Sequence, residues 1–187
     1  AGLAGLSLKE KSGLAVSRLQ GSVYMDSTQL RLPALNLRTP YSRVDATVSF
    51  DFKALQAGKG GHCHLDVDAS IGREDLRCLA SGLVDDACLN LLPAQPLTLK
   101  AQAEGNMDHL RLPQLSLHLP GMARLEAKGY VTQPMSERRS GHLEADLRTQ
   151  TLTAVKSLMP ASLRQTIDIP NGLAARGTAD FQADDYK

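Results

Sequence analysis

A chain in which apolar and polar residues take turns over most of its length is built for strands with one dry face and one wet face, and no other feature here constrains the fold as strongly. Leu30, Leu32, Leu35 and Leu37 form one such run, its register broken near Pro33. Val44, Ala46, Val48, Phe50 and Phe52 form the next, and Thr39-Pro40-Tyr41-Ser42 between them reads as a turn. Farther on, Cys63, Leu65, Val67, Ala69 and Ile71 share one face of a strand while His62, His64, Asp66 and Asp68 share the other. Strands led by Leu97 and Leu99, Leu110 and Leu112, Leu125 and Ala127, Leu143 and Ala145, and Leu173 and Ala175 follow. The expected fold is therefore mainly β, a repetitive antiparallel sheet with one side sheltered. Residues Ala15 to Gln29 give no clear register.

Two stretches leave the rhythm of strands. In Arg73 to Leu92, Leu76, Leu79, Ala80 and Leu83 recur at helical spacing, with Glu74 and Asp75 in the first turn, where the helix dipole favours them. In Thr151 to Gln165, Leu152, Val155, Leu158 and Met159 do the same until Pro160 interrupts. Both are expected to be short amphipathic helices packed over a sheet face or an end.

The pattern Leu-Arg-Leu-Pro-x-Leu-x-Leu-x-x-Pro occurs at Leu30 to Pro40 and again at Leu110 to Pro120, an offset of 110 − 30 = 80. His64-Leu65-Asp66 lines up with His142-Leu143-Glu144, and Leu97 to Ala101 with Leu173 to Gly177. A strand pair, a helix and a strand form the expected unit, with units of about 1–106 and 107–187 stacked so that neighbours shelter each other's apolar faces. The chain starts at Ala1 and stops just after the strand-like run before Lys187, so it reads as one fragment of a longer repeat protein.

Composition narrows the function classes. Aromatics are only 4% and Trp is absent, so Leu and Ala must supply the apolar surface. Twenty-one basic against twenty acidic residues, with no block of like charge, argue against nucleic-acid binding. The three cysteines Cys63, Cys78 and Cys88 match no zinc or redox spacing; buried thiols are expected, with a Cys78–Cys88 disulfide left open. His62-Cys63-His64 fits a metal by residue type, but alternation sends the histidines one way and the thiol the other. Asp85-Asp86 and Asp184-Asp185 are adjacent rather than convergent, and Ser81-Gly82 and Ser140-Gly141 sit in no nucleophile motif. Arg38 and Arg43 flank the turn holding Tyr41, where they could hold an anionic headgroup or simply solvate the turn. No catalytic set, no metal site and no cofactor are expected, and the chain is read as a non-enzyme.

The segments Leu35 to Arg43 and Gln95 to Asn106 resemble the strand-turn-strand signatures of the TamB branch of the AsmA-like superfamily, and Leu6 to Leu14 is similar to the run that opens such a block. The resemblance implies a long protein of the Gram-negative envelope, anchored in the inner membrane outside this fragment. It implies a periplasmic, curled β-sheet (a taco-like fold) whose apolar groove serves phospholipid movement toward the outer membrane. It also implies an outer-membrane barrel protein as partner in an assembly module.

Under that reading the groove-lining candidates are Leu30, Leu32, Leu35, Leu37, Val48, Phe50, Leu65, Val67, Leu97, Leu99, Leu110, Leu112, Leu115, Leu117, Leu125, Leu143 and Leu173. Acyl chains need no specific contacts on such a face, because burial scales with area at about 25 cal/mol per Å². Two other readings stand beside it. One is a scaffold offering a strand edge to nascent outer-membrane proteins; the other is a closed repeat domain whose apolar faces pack on each other with no ligand.

Overall fold

The computed structural model describes residues 2–9, 15–80, 92–150 and 172–182. Its strands are β1 (Gly2–Lys9), β2 (Ala15–Ser22), β3 (Tyr24–Met25), β4 (Gln29–Arg38), β5 (Arg43–Asp51), β6 (Cys63–Ile71), β7 (Leu97–Gly105), β8 (His109–Leu119), β9 (Ala123–Thr132), β10 (Ser140–Thr149) and β11 (Ala174–Gln182). One helix, α1 (Arg73–Ala80), and a 3-10 turn, Phe52–Leu55, complete the described elements. All strands join one antiparallel sheet in the order β1-β2-β4-β5-β6-β7-β8-β9-β10-β11, with β3 paired to β4 beside this path. Neighbours in sequence are neighbours in the sheet, and the sheet does not close into a barrel.

Local chemistry fixes the corners. Asp26 Oδ1 accepts from the N–H groups of Thr28 and Gln29 (2.7 and 3.0 Å), and Asn106 Oδ1 accepts from those of Asp108 and His109 (both 2.9 Å). These are Asx turns, and one precedes each Leu-Arg-Leu-Pro strand. At the other end of the sheet, Thr39 Oγ1 accepts from the N–H groups of Tyr41 and Ser42. The equivalent corner, Leu119-Pro120-Gly121-Met122, closes with a Met122 N–H to Leu119 C=O bond of 3.0 Å. Gly121 has φ +72°, which a turn with Pro second and Gly third requires.

The break in alternation at Pro33 is a bulge. Leu32 pairs with Val48 and Leu35 with Ala46, so three residues on β4 span two on β5. The same shift occurs on β8 between Leu112 and Leu115, against Gly129 and Ala127. Proline has no N–H to donate to a ladder, and a bulge tolerates that loss. The extra residue returns Leu35 and Leu115 to the face of Leu32 and Leu112. That is how a run with two spacings keeps all its leucines on one side.

Two expectations change, and the two helices fall only in part within the described residues. The stretch without readable register holds β2, which pairs Leu19 with Leu37 and Gly21 with Leu35; its two small residues, Gly21 and Ser22, blur the alternation. The helix expected over Arg73 to Leu92 is described as α1 at Arg73–Ala80, and residues 81–91 lie outside the described residues, as does the whole helix expected over Thr151 to Gln165. Three strands rather than a pair, β4 to β6, precede α1.

Candidate functional site

Cross-strand register turns the alternation into two continuous faces. On one, Leu37, Val44, Ala69, Leu99, Leu117, Leu125, Leu147 and Ala175 follow each other from β4 to β11 as directly opposed residues. Parallel to it run Leu35, Ala46, Val67, Ala101, Leu115, Ala127, Ala145 and Gly177. A further row holds Leu32, Val48, Leu65 and Ala103, and resumes past the bulge with Leu112, Gly129, Leu143 and Ala179. The last contains Leu30, Phe50, Cys63, Gly105, Leu110, Val131, Gly141 and Phe181. Leu97 opposes Ile71 beyond these rows, and the Leu173 carbonyl accepts from the Thr149 N–H at 2.8 Å, one residue before β11 begins. Every groove-lining candidate therefore lies on this single apolar face.

Among the described residues, protein covers that face only at its two strand-end margins. At one, α1 and Leu92 close over Ile71, Leu97 and Leu119, where Ala69, Leu92 and Met122 are 2%, 6% and 5% exposed. The Asp75 carboxylate, itself buried, ties this cap down by accepting hydrogen bonds from Thr39 Oγ1 and Ser42 Oγ. At the other end the Phe52–Leu55 turn buries Ala54, beside an edge-to-face pair of Phe50 and Phe52 at 5.7 Å. Between the caps none of the candidates is buried: Leu65 is exposed and the rest are half-buried. Among the described residues no large side chain is fully buried.

The opposite face is a lattice of charge. Lys100 Nζ lies 3.1 Å from Asp68, Arg111 3.1 Å from Glu104, Lys128 3.1 Å from Glu144 and Arg176 2.9 Å from Asp146. Arg148 and Arg176 together hold the Asp146 carboxyl below the ordinary carboxylate range, Arg148 through the stronger hydrogen bond. Two hollows open on this polar side, each beside a bulge: one of about 670 Å³ between Gln114, Lys128, Asp146 and Arg176, and one of about 280 Å³ between Asn36, Asp45, Asp66 and Asp68.

The chemical candidates separate along the same two faces. Cys63 opposes Phe50 on the apolar side and its thiol is pushed up by burial, while His64 opposes Ser49 and Glu104 on the polar side. Among the described residues no group of three or more His, Cys, Asp or Glu could hold a metal ion. Arg38 and Arg43 oppose each other and both reach Asp45, at 3.1 and 3.4 Å, so this carboxylate already occupies the suggested headgroup position. Cys88, Ser81, Asp85, Asp86, Asp184 and Asp185 lie outside the described residues. Leu19, Val44, Val131, Leu147 and Phe181 belong to the apolar face and were not among the candidates; strand alternation alone would have found all but Leu19. Among the described residues no helix is long and apolar enough to cross a membrane.

Comparison of the chain with models of protein families, with curated proteins and with solved structures finds no match.

Proposed function

We propose that this chain carries phospholipid acyl chains along its apolar sheet face, as a periplasmic segment of an envelope-spanning protein that moves lipid toward the outer membrane. One observation carries the reading: among the described residues, an apolar surface continuous over β2 and β4 to β11 is covered along its two strand-end margins and left open between them. Eight interstrand steps of ~4.8 Å, from β2 through β4 to β11, make the track ~38 Å long. Soluble monomers rarely expose contiguous apolar area beyond a few hundred Å², and surfaces that do so are interaction sites. Acyl chains suit this one because Leu, Val, Ala and Gly line it without a fixed polar contact to stop sliding. Headgroups would stay in water, and curling of the sheet around the chains would deepen the groove.

The inner-membrane anchor and the outer-membrane barrel partner belong to the same proposal and rest on the resemblance. The ligand-free alternative, a packed core between apolar faces, has less support, because among the described residues none of the face's leucines between its two covered margins is buried. Native mass spectrometry of the protein purified without detergent tests the proposal. Adducts with phospholipid mass, lost on delipidation and regained from vesicles, are expected. A protein that stays lipid-free after incubation with vesicles ends the reading.

A further inference from the structure

One guanidinium has lost water without gaining a partner. Arg73, the first residue of α1, lines the margin where that helix meets the sheet, beside Ile71, Leu76, Leu92, Leu97 and Leu119. It is half-buried, its Nε is sealed from solvent, and no acceptor faces that nitrogen. A buried donor in this state is costly, and a charged one more so. The two carboxylates next to it are engaged elsewhere: Glu74 lies 3.7 Å from Arg77, and Asp75 accepts from Thr39 and Ser42. Among the described residues Arg18, Arg31 and Arg139 also make no ion pair, but all three are exposed, where water serves them. Arg73 is thus the one described arginine that is half-buried and unneutralised.

Its position suits an anion attached to something apolar. Leu97, two residues before Leu99, and Leu119, two after Leu117, continue the apolar face up to this margin. The gap beside Nε, about 10 Å³, is no larger than one water, so a ligand cannot enter there. Nη1 and Nη2 are not sealed, and together they form the fork that fits two oxygens of one phosphate. We infer that Arg73 is the binding site for the phosphate of a phospholipid whose acyl chains lie on Leu99, Leu117 and the rows beyond.

A free phosphate would satisfy the same fork. The adjoining leucines favour the lipid, because a lipid also covers them and gains from that burial. Arg38 and Arg43 differ from Arg73 in this respect, since Asp45 already takes both of their charges. The site lies at the covered margin, where the headgroup borders water, and the rows between the margins stay free of polar contacts. Arg73 is then a station at which a sliding lipid halts. The inference rests on the lipid reading and gives the headgroup a fixed place within it.

Isothermal titration calorimetry of the 187-residue chain with dihexanoylphosphatidylglycerol, dihexanoylglycerol and inorganic phosphate tests it. The phospholipid is expected to bind the wild type about tenfold more tightly than either of the others. Arg73→Gln should remove that advantage and leave dihexanoylglycerol binding unchanged. Arg73→Lys, which keeps the charge without the fork, should recover only part of it. The control is Arg31→Gln, at an exposed arginine opposite Ser49 on the polar face, and should leave the preference in place. An unchanged preference in Arg73→Gln overturns the inference, and so does an equal loss for both lipids, which would show a structural role. Inorganic phosphate binding as tightly as the phospholipid overturns it too, by assigning the fork to a free anion. Equal binding of the two lipids to the wild type overturns the inference alone, whereas no binding of either overturns the lipid reading with it. If circular dichroism shows that Arg73→Gln does not fold, the wild-type preference and Arg73→Lys decide.

Discussion

A single lysine in the middle of the apolar face separates a lipid track from a passive surface. Leu115 sits between Ala101 and Ala127 and is the one large side chain of its row between Val67 and Gly177. An extended acyl chain crossing one strand spans ~4.8 Å, about four methylenes. At ~0.8 kcal/mol per methylene, full burial of that length is worth ~3 kcal/mol. An open face touches only one side of the chain, so about half of this, ~1.5 kcal/mol, is at stake. Leu115→Lys should therefore weaken binding of a dansyl-labelled phospholipid about tenfold. The chain has no Trp, so intrinsic fluorescence interferes little with the probe. Ser116→Lys is the control, one residue along on the polar face between Lys100 and Glu126, and should change affinity less than twofold. Equal losses for both variants would refute the assignment of lipid to this face.

Three further outcomes follow from the geometry. Asp75→Ala leaves the Thr39 and Ser42 hydroxyls without their buried acceptor and frees the turn from α1; chemical denaturation should show a loss of about 1–3 kcal/mol, and a loss under 0.3 kcal/mol would contradict the cap. Deleting Ala34 removes the extra residue of the β4 bulge and keeps the leucines on one face, whereas deleting Asp66 flips half of β6; thermal melts should show the first variant folded and the second severely destabilised. Asp146, whose pKa is held low chiefly by the Arg148 hydrogen bond and also by Arg176, stabilises the fold above the unfolded carboxylate value of ~3.9. That contribution disappears as pH falls through the lower folded value. The melting-temperature gap between wild type and Asp146→Asn should be full at pH 7 and close well below about pH 4, so a gap that persists at pH 2 would show that the ion pair is not its source.

The strands were legible because alternation is a local property written into each run, as in Val44 to Phe52. The bulge was legible too, since Pro33 breaks the period at the point where β4 gains a residue. Strand order was not, because every apolar face looks like every other until pairing is known. The answer was the simplest one, each strand beside its neighbour in sequence apart from the short β3. β2 escaped because Gly21 and Ser22 carry too little side chain to mark a face. Cover was also invisible in the sequence: Leu65 and Ala69 read alike, yet the first is exposed and the second 2% exposed. The meeting of the groove candidates on one face depended on the bulges of β4 and β8 falling in the same register, which only the paired strands reveal.

A photo-crosslinking scan along β6 tests the lipid track most directly. A benzophenone residue placed in turn at Leu65, Asp66, Val67 and Asp68 samples the two faces alternately. In cells making the full-length protein, phospholipid adducts are expected at Leu65 and Val67 and absent at Asp66 and Asp68. Adducts without that two-residue period, or no adducts at any of the four, would contradict it.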